Sequence, residues 1–333
     1  MKKVLSLILA LAMVFALVAC GEKQPSNDGN TDGDKPPRGN VIMTFGTADT
    51  GGSMYPAGAA VSQVWTNNVE GVKCNTQTST GSFQNCQDVS TGEVDVAVAT
   101  SDVVLNAYNG TGKFADIGKL DNLRVIGAVY TSVLSGVALK SSGLTYIHDL
   151  LGKRVAVGPA ASATENATLA AFAAMDITKD NTSLENLGLG DGADSVGDGI
   201  LDAAFGFAGL PIGGQLNLAA TKEIQVLDMT QEEIDKVLAG NAAYIQTTIP
   251  AGTYTGQDND ANTFGVKCLI IVTADMDADL VYDLCKAMNE HTEELAAGNA
   301  LLKDMTDPSF LCTQMPIPLH DGAQKYYSEQ GLI

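Results

Sequence analysis

The 333-residue chain is 45% apolar and carries 19 basic against 39 acidic side chains, a formal charge of −20. So much apolar material builds a substantial core, and at roughly 150 residues per domain the length allows about two domains. The acidic balance argues against a nucleic-acid partner, because neutralising phosphate needs a basic face, and any anion site must be made locally positive.

The chain opens on Lys2 and Lys3, continues with a nearly unbroken apolar run over residues 4–17, and reaches Leu17-Val18-Ala19-Cys20-Gly21. A basic start, an apolar stretch and a small-residue cleavage site read as a secretory signal peptide over residues 1–19. The run is shorter than the ~20 residues a spanning helix needs. Leu17-Val18-Ala19-Cys20 resembles the bacterial lipobox, so Cys20 is the expected lipidation site. The protein is then tethered to the outer face of the cytoplasmic membrane, facing the periplasm if the cell is Gram-negative. Residues 20–40 are polar and rich in Gly, Pro, Asn and Asp, the composition of a flexible tether. Asp28-x-Asn30-x-Asp32-Gly33 begins like a calcium loop, but Gly39 stands where its closing Glu belongs.

From residue 41 the pattern alternates. Strands are expected at 41–46, 72–78, 94–99, 123–129, 154–157, 183–188, 202–207, 224–227 and 265–273. Helices are expected at 54–67, 82–90, 102–108, 164–175 and 276–295. Short apolar strands alternating with amphipathic helices imply βαβ units and parallel sheet. Two such series, before and after about residue 132, imply two α/β lobes. The late strand and helix return the chain to the first lobe and leave a hinge.

Three segments share one design of strand, small hydroxyl-rich loop and helix start. They are Thr47-Ala48-Asp49-Thr50-Gly51-Gly52-Ser53, Thr78-Ser79-Thr80-Gly81-Ser82 and Pro159-Ala160-Ala161-Ser162-Ala163-Thr164-Glu165. Helix N-termini present unpaired N–H groups and the positive end of the dipole, and hydroxyls add rotatable donors. Three such ends in one crevice make an anion site without a basic side chain. For any single loop, simple N-capping is the commoner explanation; repetition favours a site. The only arginines are Arg38, Arg124 and Arg154, and the last two begin strands, away from the loops at their carboxyl ends. No Arg clamp is therefore expected.

At these loops the chain resembles the TAXI family of solute-binding proteins of tripartite ATP-independent periplasmic (TRAP) transporters. The matching stretches include Gly46-Thr47 through Thr50-Gly51-Gly52-Ser53-Met54-Tyr55-Pro56, Thr80-Gly81-Ser82-Phe83-Gln84-Asn85 and Gly92-Glu93-Val94-Asp95-Val96-Ala97. Asp149-Leu150-Leu151-Gly152-Lys153-Arg154-Val155 and Pro316-Ile317-Pro318-Leu319-His320-Asp321-Gly322 extend the likeness to the C-terminal region. The resemblance implies a two-lobed α/β periplasmic-binding-protein fold, type II-like. Each lobe would be a mostly parallel sheet flanked by helices, with lobe I at 41–131 plus 263–333 and lobe II at 132–262. It implies a monomeric receptor with no cofactor or metal. The receptor would close on a small organic anion, a glutamate-like amino acid or a dicarboxylate or keto acid, and deliver it to the TRAP membrane permease. Ligand contacts would fall on Thr47, Thr50, Gly51, Gly52, Ser53, Tyr55, Thr80, Gly81, Ser82 and Ser101. Tyr130, Ser162, Ala163, Thr164 and Gly209 complete the set. Ala161 and Ala163 stand where the family carries glycines, and Asp49 beside an anion site favours a ligand with an ammonium group.

Three other classes compete. A binding module feeding a sensor or an ABC importer would share the fold. A structural surface protein would have no use for the hydroxyl-rich loops. An enzyme lacks support: the histidines are His148, His291 and His320, with no Gly-x-Ser-x-Gly elbow, His-Glu-x-x-His or phosphate loop. Besides Cys20 there are Cys74, Cys86, Cys268, Cys285 and Cys312, with no Cys-x-x-Cys pair, which argues against zinc. They read mostly as small buried hydrophobes.

Overall fold

A computed structural model describes residues 39–50 and 52–333. The signal peptide, Cys20, nearly all of the tether, and Gly51 lie outside the described residues. The strands are β1 (Val41–Gly46), β2 (Val72–Gln77), β3 (Val96–Thr100), β4 (Leu123–Leu139), β5 (Arg154–Ala156), β6 (Ser183–Glu185), β7 (Ala203–Ala208), β8 (Ile224–Val226), β9 (Ile245–Ile249) and β10 (Ala261–Thr273). The α-helices are α1 (Met54–Asn68), α2 (Ser82–Thr91), α3 (Ser101–Asn109), α4 (Ala163–Ala174), α5 (Leu189–Gly197), α6 (Gly213–Thr221), α7 (Gln231–Gly240), α8 (Ala278–Glu290), α9 (Thr292–Gly298), α10 (Pro308–Cys312) and α11 (Asp321–Glu329). None among the described residues is long and apolar enough to cross a membrane.

The strands form one mixed sheet in the order β2-β1-β3-β10-β4-β7-β5-β6, with β8 on β4 and β9 on β10. Parallel pairing is confined to the flanks, β2-β1-β3 and β7-β5-β6. Between them β4 and β10 run antiparallel to each other, β10 antiparallel to β3 and β4 antiparallel to β7. These two strands carry the chain between the flanks, and the expected lobe boundaries at 131/132 and 262/263 fall within them. β4 continues ten residues past the expected end at 129, because Ser132, Ser135 and Gly136 are fully or nearly buried and interrupt the apolar run without ending the strand.

β4 is also irregular. Its register with β10 passes from Tyr130↔Cys268 to Ala128↔Leu269, and from Gly127↔Ile270 to Val125↔Ile271, leaving Val129 and Ile126 as extra residues. Each bulge turns the following side chain to the opposite face from simple alternation. Val125 and Ala128 accordingly enter one core, while Ile126, Val129 and Tyr130 enter the other. This is how Tyr130 comes to face the crevice between the flanks.

The core beneath α1 and α8 holds Phe45 stacked on Trp65 at 5.4 Å. The Trp65 indole N–H donates to the Leu284 carbonyl at 3.0 Å, so its one polar atom is satisfied inside an apolar site. The helix expected at 276–295 breaks at His291, whose φ of −114° ends α8 and begins α9. Met288 and Leu295 are both buried, so the apolar spacing runs across the kink and conceals it.

Candidate functional site

The carboxyl ends of β1, β2, β5 and β7 face one crevice. It encloses a cavity of about 60 Å3 lined on one side by Ala48, Asp49, Gly52, Ser53, Met54, Thr80, Gly81, Ser82 and Tyr130. The opposite wall is Pro159, Ser162, Ala163, Thr164, Leu189, Phe207 and Ala208. The N-termini of α1, α2, α4 and α5 therefore all border it. At Ser53, Gly81 and Gly188, which precede α1, α2 and α5, no side chain caps the helix. Among the described residues, no lysine, arginine or histidine lines the cavity. What the lining offers an anion is backbone amides and the positive ends of helix dipoles, each dipole equivalent to about half a charge at its N-terminus.

The loops are pinned from below. Thr47 is fully buried; its hydroxyl donates to the Gln77 carbonyl at 2.7 Å. The Asn85 amide donates to the carbonyls of Thr47 at 2.6 Å and Val98 at 2.7 Å, and its oxygen accepts from Ser79 at 2.6 Å. One buried side chain thus ties the ends of β1 and β3 to the loop after β2. Gly81 has φ +115°, a conformation closed to side-chain-bearing residues, and a Cβ there would come within 3.9 Å of Ser162 across the crevice. On the far wall the Ser162 hydroxyl accepts from Glu165 N at 3.2 Å, and the Thr164 hydroxyl accepts from Phe207 N at 3.1 Å.

Nine expected contacts lie on this cavity: Gly52, Ser53, Thr80, Gly81, Ser82, Tyr130, Ser162, Ala163 and Thr164. Thr47 sits beneath it. Thr50 is exposed and Tyr55 half-buried, and neither lines it; Gly51 lies outside the described residues. Gly209 borders an adjoining cavity of about 280 Å3, shared with Gly52 and Ser53 and closed by Asn299, Ala300 and Leu301. The Ser53 hydroxyl donates to the Gly209 carbonyl at 3.3 Å between the two chambers. Ser101 is placed elsewhere, on a separate groove with Lys267 and Pro316. Ala48, Asp49 and Pro159, from the same loops, and Met54, Leu189, Phe207 and Ala208 join the lining without having been expected as contacts. Phe207 and Ala208 end β7, so a strand-end rule would have found them; no polar signal marks them.

A family model described as NMT1-like matches residues 45–331. The chain belongs to the NMT1-like family. Among solved structures, the NMT1-like chain is similar to the alkanesulfonate-binding protein SsuA from Xanthomonas axonopodis pv. citri, bound to MOPS. The TM-score is 0.51 at 14% identity, covering 87% of this chain and 84% of that one. It is also similar to PhnD1 from Prochlorococcus marinus (MIT 9301) in complex with methylphosphonate, with TM-score 0.53 at 11% identity over 88% and 99% of the two chains. At this identity the likeness is one of fold: the α/β, two-lobed binding-protein architecture.

In this NMT1-like chain the two walls also touch beyond the cavity. Asp102 on α3 is fully buried, and its Oδ2 accepts from Asn166 Nδ2 of α4 at 2.7 Å and from the Tyr244 hydroxyl at 3.1 Å. Lys113 pairs with Glu165 across the same seam. Burial works against the Glu165 carboxylate, but Lys113, the Ala161 amide and Asn186 more than offset it and hold its pKa below the usual value.

Proposed function

We propose that the protein is an extracytoplasmic solute receptor that captures a small organic anion in this crevice and passes it to a membrane permease. The observation that carries the reading is the convergence of four helix N-termini and six hydroxyl side chains, five of them Ser or Thr and one Tyr130, on a cavity with no basic residue among the described residues that line it. The inner chamber, at about 60 Å3, takes the anionic head group, and the adjoining 280 Å3 chamber takes the body of the solute. Asp49 on the rim disfavours a second anionic group, so an amino acid or a monoanion fits better than a dicarboxylate. The motif likeness supports a permease of the TRAP class. The reading assigns the chain no catalytic step, and lipidation at Cys20 would hold the receptor beside its permease.

The structural neighbours supply a second reading of the head group. SsuA is bound to MOPS and PhnD1 to methylphosphonate, so a sulfonate or phosphonate is the alternative to a carboxylate. A thermal-shift panel of L-glutamate, L-glutamine, 2-oxoglutarate, succinate, branched-chain amino and keto acids, an alkanesulfonate and methylphosphonate separates them. A ligand at 100 times its Kd adds about 2.7 kcal/mol. One selective hit supports the receptor reading and fixes the head group. A flat panel from protein shown by mass spectrometry to be free of small molecules overturns it. Co-purification with TRAP membrane subunits, against an ATP-hydrolysing importer, decides the permease class.

A further inference from the structure

We propose that the Asp102 carboxyl is a proton site tied to closure, so that the protein takes up a proton from solvent as its lobes close on the solute and returns it on opening. The inference rests on the two lobes moving apart, and reaches beyond the identity of the solute. Asp102 lies in the first turn of α3, on the β3 side of the sheet, while both of its side-chain partners arrive from the chain between β4 and β10. Parting the walls withdraws Asn166 and Tyr244 and exposes the carboxyl to water.

In the closed arrangement the carboxyl is 0% exposed, and its Oδ1 has no hydrogen-bond partner. A buried carboxylate oxygen without a donor is costly, and protonation removes that cost. Among the described residues no cation compensates. The groups facing Asp102 are Asn166 from α4, the Tyr244 hydroxyl, the Thr100 hydroxyl and Val103 amide at the start of its own helix, Cys86 from α2 and Cys268 from β10. Those two thiols are themselves raised by burial and stay neutral. Burial outweighs the hydrogen bonds and raises the Asp102 pKa above the ordinary 3.8.

The sign follows. A closed-state pKa above the open-state value means the closed state binds more protons, so closure is favoured as pH falls and disfavoured as pH rises through the closed pKa. The Glu165 carboxylate next to Asn166 works in the other direction: its pKa is lowered, and its attraction to Lys113 is lost only as pH falls through and below the ordinary 4.5. Above the ordinary 4.5, Glu165 therefore adds no slope of its own.

The test uses spin labels at Thr91→Cys on α2 and Leu169→Cys on α4, both exposed positions on opposite walls. Distance distributions are read between pH 5 and 8 without added solute. The closed-to-open ratio is expected to rise by up to about tenfold per pH unit of acidification, and Asp102→Asn to flatten the profile. A wild-type ratio independent of pH, or an Asp102→Asn profile as steep as the wild type, overturns the proposal. Should Asp102→Asn fail to fold, Tyr244→Phe decides: losing a donor to the carboxylate moves the profile to higher pH, and an unmoved profile overturns the idea. Lobes that close normally with no pH slope leave the solute-receptor reading intact.

Discussion

Cys268 sits opposite Tyr130 in the register of β4 and β10, within 3.4 Å of the Ser132 hydroxyl, and is one of five buried free thiols among the described residues. Burial pushes Cys268 up to about 12 and Cys74 to about 11. A thiol at those values is almost wholly protonated near neutrality and inert to disulfide reagents. Ellman's reagent at pH 8 should therefore leave all five unmodified in the folded protein and react with all five in guanidinium; fast labelling of the native form would contradict the burial. At the crevice, Gly209 is fixed by crowding rather than by its dihedral angles: an added Cβ would lie 1.7 Å from Leu301 Cδ1 and 3.2 Å from Tyr130 Cδ2. Gly209→Ala should cost about 1–3 kcal/mol of stability and weaken solute binding, measured by thermal unfolding with and without the panel hit. Asp49→Asn should improve succinate relative to L-glutamine in the thermal-shift ranking by about 1 kcal/mol, the scale of one charge–charge term near a surface.

The elements that shape the crevice start where their hydroxyls are, which is why so much of the site was legible. Ser53, Ser82 and Ser162 each mark a helix start after a strand, and all three line the cavity. Ser101 carries the same signature, but β3 lies between β1 and the antiparallel β10, and Ser101 lines a different groove. Leu189 was illegible because an apolar residue at a helix start looks like any core residue, and Phe207 was legible only by its place at the end of β7, not by its chemistry. The flanking strands were readable from their short apolar runs, whereas the bulges at Ile126 and Val129 break the period of two that a strand reading relies on. Asn85 is the buried clamp among these elements. Asn85→Ala strips donors from the Thr47 and Val98 carbonyls and should cost about 2–3 kcal/mol, with a parallel loss of solute affinity. Ser162→Ala removes the one side-chain cap on α4; a fall of about 0.5–2 kcal/mol is expected, seen as a lower denaturant midpoint at unchanged m-value.

Across the whole molecule, the parallel flanks were legible as two βαβ series, but their union was not. Nothing in the composition of β4 or β10 states that the strands will pair with each other along most of their lengths, from Val133–Gly265 to Leu123–Thr273. That pairing has a consequence for the order in which the protein is made. β3 and β4 follow one another along the chain, yet the place between them is filled by β10, which is synthesised only after every strand of the other flank. Until residue 273 has emerged, the first flank has an open inner edge and the second has only β4 to join it, so the nascent chain holds few of its long-range contacts. Such late, non-local pairing slows folding. For the exported receptor proposed above this is an advantage: a chain that stays unfolded until nearly complete remains threadable through a translocation pore. Ribosome-stalled chains ending near residue 250 should stay protease-sensitive, and those extending well beyond residue 273 should gain protection abruptly rather than strand by strand.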